Sequence, residues 1–295
     1  MNRITLILAM MMMFPIMGNA QRKRALMVGI SNYRTNGYRV WQNIHGAEDI
    51  ALLTPELKKK GFSVLSLTNE NATYKGIIKA INDFIMKSRK GDTVYLHFSC
   101  HGQPVEDGLN GMVKDETDGW DESLVPIDAG KVYSAAYKGE RHITDDELNG
   151  YITLLRKKIG PAGMLCVAMD ACHAGNMERD DFETTRGTNE GLTSNPRNRY
   201  NPSDMAKRSK PVQSPELAPV LFIEACESNQ RNQEIIFQGN EYGALSFNIW
   251  QMLSKAATFP KSIQEFKSRL STNITFNKDK HNRLWPGTQT VVFEN

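Results

Sequence analysis

Cysteine is scarce in this chain of 295 residues, which has four: Cys100, Cys166, Cys172 and Cys226. So few, so widely spaced, exclude a disulfide-stapled scaffold. Charge of one sign is scarce as well. Thirty-six basic and 33 acidic residues leave a formal net charge of +3, too small to mark a polyanion as partner, so no nucleic acid is expected. There is no internal repeat, which argues against a repeat array. Apolar runs long enough to span a bilayer are also missing, because the stretch from Ile4 to Met17 falls short of the roughly 20 residues required.

That stretch has another use. With Arg3 before it and Gly18 and Ala20 after it, it has the build of a cleavable signal peptide over residues 1–20. The chain is therefore expected to be exported, periplasmic or secreted, with no stable membrane insertion after cleavage. Residues 21–295 are expected to form a single domain.

Along that domain, strand-like and helix-like segments alternate. "KRALMVGI" reads as a buried strand, "GAEDIALLTPELKKKGF" as a helix with Ala47, Ile50, Leu53 and Leu57 on one face, and "FSVLSLT" as a second strand. A second helix around Ile77, Ile81, Phe84 and Ile85 leads to a third strand, "TVYLHFSC". After an acidic loop at residues 106–128 come a helix opened by "ITDDEL", the strands "GMLCVAMD" and "APVLFIEAC", and two more helices, "GALSFNIWQMLSKA" and "SIQEFKSRLS". Such alternation predicts an α/β fold with a mostly parallel central sheet flanked by helices. A polar stretch from about residue 176 to 216, rich in proline and arginine, reads as a mobile linker.

In parallel sheets the ligand-facing residues lie just beyond the carboxyl ends of strands. Two such ends carry Cys-His pairs, "HFSCHG" at 97–102 and "AMDACHAG" at 168–175. A thiol becomes a nucleophile when an imidazole adjacent in space favours its thiolate, and His101 and Cys172 meet that need if their strands are neighbours. Gly102 and Gly175 leave room for a substrate backbone and for amides that hold an oxyanion. Cys166 and Cys226, each inside an apolar run, read as small buried hydrophobes. A zinc site built from Cys100, His101, Cys172 and His173 is a rival, although adjacent residues would have to converge from opposite strand faces.

The order of "SCHG", "KDETDGWDESLVPID", "ITDDEL" and "MDACHAG" resembles that of metacaspases and related caspase-like cysteine peptidases, from about Arg24 to the "GALSFNIWQML" helix. Ala171 and Ala174 stand where metacaspases usually carry serines. The resemblance implies a three-layer caspase-like sandwich and a cysteine endopeptidase. His101 would be its general base, Cys172 its nucleophile, and the Gly102 and Cys172 amides its oxyanion site, with Cys100 and His173 pointing away. It further implies cleavage after Arg or Lys, with Asp170, Ser99 and Asp49 binding the basic side chain, and so polypeptide substrates with a basic residue before the cut. Calcium is the implied cofactor, at Asp121, Asp145, Asp146 and one of Asp180 or Asp181, although Asp145 and Asp146 also suit a helix start beside Thr144. The basic linker then offers self-cleavage sites at Arg179, Arg186 and Lys207–Arg208. The protein is expected to be a monomer. Clostripain-like and gingipain-like peptidases keep the same dyad and remain an alternative, as does a catalytically silent binding protein of this fold.

Overall fold

The computed structural model describes residues 21–33, 41–109, 114, 116–172, 185–201, 212–227, 230–278 and 284–294. The expected signal peptide lies outside them, as do His173, Arg179, Asp180, Asp181, Lys207 and Arg208. In chain order the elements begin β1 (Lys23–Gly29), α1 (Gly46–Lys59), β2 (Phe62–Thr68), α2 (Tyr74–Lys87), β3 (Thr93–Ser99), β4 (His101–Glu106), β5 (Trp120–Val125), β6 (Ile143–Thr144) and α3 (Asp145–Ile159). They continue with β7 (Met164–Asp170), β8 (Val220–Glu224), β9 (Glu234–Phe237), β10 (Asn240–Gly243), α4 (Ala244–Lys255), α5 (Ile263–Arg269), β11 (Asn273–Lys278), β12 (Leu284–Thr290) and β13 (Val292–Glu294).

Six strands form the central sheet in the order β13-β8-β7-β3-β1-β2. All pairings are parallel except that of the edge strand β13 with β8. Alternation along each strand divides the core in two. On one face Leu26, Val28, Leu96, Phe98, Leu165 and Val167 pack with Ile77 and Phe84 of α2 and Ile152 and Leu155 of α3. On the other, Ala25, Met27, Tyr95, Cys166 and Ala168 pack with Ile50, Leu53 and Leu57 of α1 and Leu245 and Ile249 of α4. Helices thus cover both faces of a sheet whose central strand, β3, is buried along its whole length. Each fully buried Leu or Ile contributes about 1.5–3 kcal/mol.

Two sequence expectations change here. Part of the acidic loop is a strand: β5 pairs antiparallel with β4 and with β6, forming a small sheet that begins where β3 ends. Asp121 and Glu122 are buried in it, an uncommon setting for carboxylates that hides a strand from propensity. Part of the described linker is not solvated either. Arg186 and Leu192 are buried against β4 and the end of β7, and Tyr200 against Trp120 of β5, while residues 194–197 are exposed.

Candidate active site

β3 and β7 are parallel neighbours with Ser99 opposite Asp170, so the residues after them leave the sheet at one level. His101 opens β4 there, and Cys172 follows β7. Their surroundings converge on a single atom. The amides of Gly102 and Cys172 both donate to the carbonyl oxygen of Arg186, at 3.3 and 2.9 Å. Two N–H groups aimed at one carbonyl oxygen form an arrangement able to stabilise an oxyanion.

The His101 ring is buried between Tyr33 and Trp41, with centroids 4.8 and 4.9 Å away. Its backbone N–H donates to the Tyr33 hydroxyl at 2.9 Å, which donates in turn to the Val125 carbonyl. Nε2 lies 2.8 Å from the carbonyl oxygen of Gln42, which can only accept. Nε2 therefore carries the proton, and the lone pair of the neutral ring sits on Nδ1. Nδ1 is buried and has no hydrogen-bond partner among the described residues. Burial pushes the imidazole down to about 4, so the ring is neutral at physiological pH. The Cys172 thiol, also buried, donates to the Gln230 carbonyl at 3.2 Å and lies 3.6 Å from the Cys226 sulfur. Cys226 is buried as expected, but packed against the candidate nucleophile. Cys100 is buried in the core, and burial pushes its thiol up to about 12.

Beside this group lies an acid pocket filled by the Arg186 side chain, which is 0% exposed. Its Nη1 donates to Asp49 Oδ2 at 2.7 Å and to Ser99 Oγ, and lies 3.7 Å from Asp170 Oδ1. Its Nη2 and Nε donate to Glu234 Oε1 at 2.7 and 3.1 Å. All three residues expected to hold a basic side chain are thus brought together. Asp49 is fixed by the Ser99 hydroxyl at 2.7 Å and the Gly243 amide at 2.9 Å. Asp170 accepts from Asn232 and from both the amide and hydroxyl of Ser246. Glu234 escaped the sequence reading, because nothing in "NQEIIFQGNEYG" marks one carboxylate for a pocket assembled from α1, β3 and β7.

Charge in the pocket is unbalanced, with three carboxylates to one guanidinium. Burial lowers the Arg186 pKa, but Asp49, Asp170 and Glu234 outweigh it and raise the group above its ordinary value. Burial works to raise Glu234, yet the Arg186 charge and the His45 hydrogen bond hold it at about 2. The surplus falls on Asp49, which burial pushes to about 7 against the pull of Arg186.

The chain around Arg186 runs through the cleft as a peptide would. Its N–H donates to Asn232 O at 3.1 Å, Thr188 N–H to Gly102 O at 3.3 Å, and Leu192 N–H to Pro104 O at 2.8 Å. Gly187 passes so close to the strand end that a β-carbon there would meet the Cys172 carbonyl oxygen at 1.6 Å. Only a glycine fits.

The acids expected to bind a cation lie on the other side of β4. Asp121 of β5 and Asp145 and Asp146 of α3 interact with one another and with Asp107 and Glu116. Burial, reinforced by these neighbours, pushes Asp121 up to about 8 and Asp145 to about 7. One oxygen each of Asp107, Asp121 and Asp145 is buried without a hydrogen-bond partner among the described residues. Thr144 caps α3, as expected, accepting from the Glu147 amide at 3.3 Å. Among the described residues, only His45, Glu234 and Glu241 bring metal-ligand atoms within 4.8 Å of one another. Neither the three aspartates nor the rival set of Cys100, His101 and Cys172 is drawn that tight.

An amide pair at the Cys172 strand end, a neutral imidazole at the start of β4 and an acid pocket, all at the carboxyl ends of a parallel α/β sheet, are the equipment of a cysteine-type peptidase. The family model described as the caspase domain matches residues 22–291. The chain belongs to the metacaspase and caspase-like family of cysteine peptidases. Metacaspase-3 of Arabidopsis thaliana is 25% identical over 272 residues, covering 85% of this chain and 68% of that protein. Metacaspase III c of Phaeodactylum tricornutum is 30% identical over 163 residues, covering 52% of this chain and 43% of that protein. The chain therefore spans about two thirds of the first relative and under half of the second. A Geobacter sulfurreducens protein of solved structure shares the fold, with 20% identity, a TM-score of 0.60 and 92% of each chain covered.

Proposed function

We propose that the protein is an endopeptidase that cuts after Arg or Lys with Cys172 as nucleophile and His101 as base, and that it first cuts its own Arg186–Gly187 bond. One observation carries this reading. The side chain of Arg186 occupies the acid pocket while its own carbonyl oxygen accepts from the Gly102 and Cys172 amides, so one residue presents both a basic side chain and a scissile carbonyl.

The chemistry follows from the tautomer. The Nδ1 lone pair takes the thiol proton, and the thiolate attacks the Arg186 carbonyl carbon. Negative charge gathers on the oxygen held by the two amides. The imidazolium then gives its proton to the departing Gly187 amine, leaving an acyl-enzyme that water hydrolyses with His101 again as base.

Calcium is part of the proposal. Asp121, Asp145 and Asp146, with Asp107 beside them and Asp180 or Asp181 as the expected further ligand, offer the hard carboxylate oxygens such an ion takes. A bound ion would supply positive charge against their mutual repulsion and would tie β5 to the start of α3. Export through the leader at residues 1–20 and action as a monomer complete the reading.

The test is mass mapping of purified protein incubated with calcium. A fragment ending at Arg186 and a new amino terminus at Gly187, both missing in Cys172→Ala, are expected. Cleavage that persists in Cys172→Ala, or a chain that stays intact, would overturn the proposal.

A further inference from the structure

We infer that Glu234 makes this pocket a reader of arginine that discriminates against lysine. The inference rests on the proposed cleavage after basic residues and narrows it to one side chain.

The guanidinium of Arg186 is gripped on two edges by different elements. Asp49 and Ser99, from α1 and β3, take Nη1. Glu234, from β9, takes the opposite edge through Nε and Nη2. Nε is a donor part-way along the side chain, where lysine has only a methylene. An ammonium is moreover a single point, and it cannot satisfy both edges of a pocket built around a planar fork.

Glu234 is poorly placed to follow a lysine. Oε1 accepts from the His45 backbone N–H at 2.7 Å, and Oε2 lies 2.6 Å from His45 Nδ1. Its side chain is 3% exposed. Gln233, the residue before it, pairs with Thr185, so the peptide that delivers the arginine also sets the distance to this carboxylate. A lysine reaching Asp49 and Asp170 would leave the buried Glu234 carboxylate with its His45 contacts alone and without the two guanidinium hydrogen bonds, a loss that arginine does not incur.

The experiment compares kcat/KM on matched fluorogenic peptides ending in Arg or Lys, using full chain incubated with calcium. The wild type is expected to favour Arg by about 10- to 100-fold, the worth of a hydrogen-bond pair to a charged group. In Glu234→Gln the Arg value is expected to fall about tenfold or more and by a clearly larger factor than the Lys value, so that the Arg-to-Lys ratio drops. A wild type that cuts after both at equal rates overturns the inference without needing any variant, and leaves the proposed function standing. A Glu234→Gln protein with an unchanged melting transition that loses both activities in equal proportion also overturns it. No cleavage after either residue overturns the proposed function and this inference together.

Discussion

Replacing Arg186 with alanine removes the guanidinium that pairs with Asp49, Asp170 and Glu234, whose side chains are 0%, 0% and 3% exposed. Leaving a charge buried without its partner costs about 3–5 kcal/mol. Against that stand the backbone hydrogen bonds of Arg186 and Thr188 to Gly102, Cys172 and Asn232, four in number. At about 1 kcal/mol each they hold the segment by about 4 kcal/mol, the same size as the penalty. The segment is therefore expected to leave the cleft, letting water reach the carboxylates, while the domain stays folded. An energy of that size corresponds to occlusion of the pocket by about a thousandfold in the uncut wild type. Hydrolysis of a short Arg peptide by freshly purified wild type should then show a lag that ends as the Arg186–Gly187 bond is cut. Arg186→Ala should show no lag and no cut at residue 186, with an initial rate about 100-fold or more above that of uncut wild type. A folded Arg186→Ala protein with the same lag, or with no activity, would refute the reasoning.

Gly187→Val places a side chain where the Cys172 carbonyl oxygen leaves only 1.6 Å. Cutting at residue 186 should slow about tenfold or more while peptide hydrolysis continues, and cutting at the wild-type rate would contradict the close approach. Burial lowers His101 to about 4, so the folded chain binds fewer protons than the unfolded one between that pH and about 6.5. Stability from this group rises with pH across the window, and His101→Gln should flatten that part of the melting-temperature profile; a profile left unchanged counts against a buried neutral imidazole. Asp121 and Asp145 have the opposite sign. Held up at about 8 and 7, they bind protons in the folded chain that the unfolded chain has released, so their contribution is lost as pH rises from about 4 to 8. If calcium binds there as proposed, it would have to displace those protons, and its stabilising shift in melting temperature should grow from about pH 6 to about pH 8.5 and shrink in Asp121→Asn. A shift of equal size in wild type and variant would place calcium elsewhere.

The main alternation was legible because its segments are long and periodic. β1, β2, β3, β7 and β8 bury both faces or one face on a sheet, and α1 to α4 carry apolar stripes. The strand ends were legible in local strings, which put His101 and Cys172 just beyond β3 and β7, whereas Ser99 and Asp170 were singled out only by the family resemblance. What escaped was set by contacts distant along the chain. Gln42 serves through a backbone carbonyl, which no side-chain pattern records, and Tyr33 reaches His101 across 68 positions. Glu234 opens a four-residue strand, Glu234–Phe237, too short to read as one. Arg186 was one basic residue among several in the linker, and only the three-dimensional meeting of Asp49, Asp170 and Glu234 selects it.

The most direct test of the central claim is hydrolysis of matched peptides ending in Arg, Lys or Asp by wild type and Cys172→Ala, with calcium present. Cleavage after the basic residues, none after Asp, and a fall to background in Cys172→Ala are predicted. Cleavage after Asp alone, or undiminished activity in Cys172→Ala, would contradict the account.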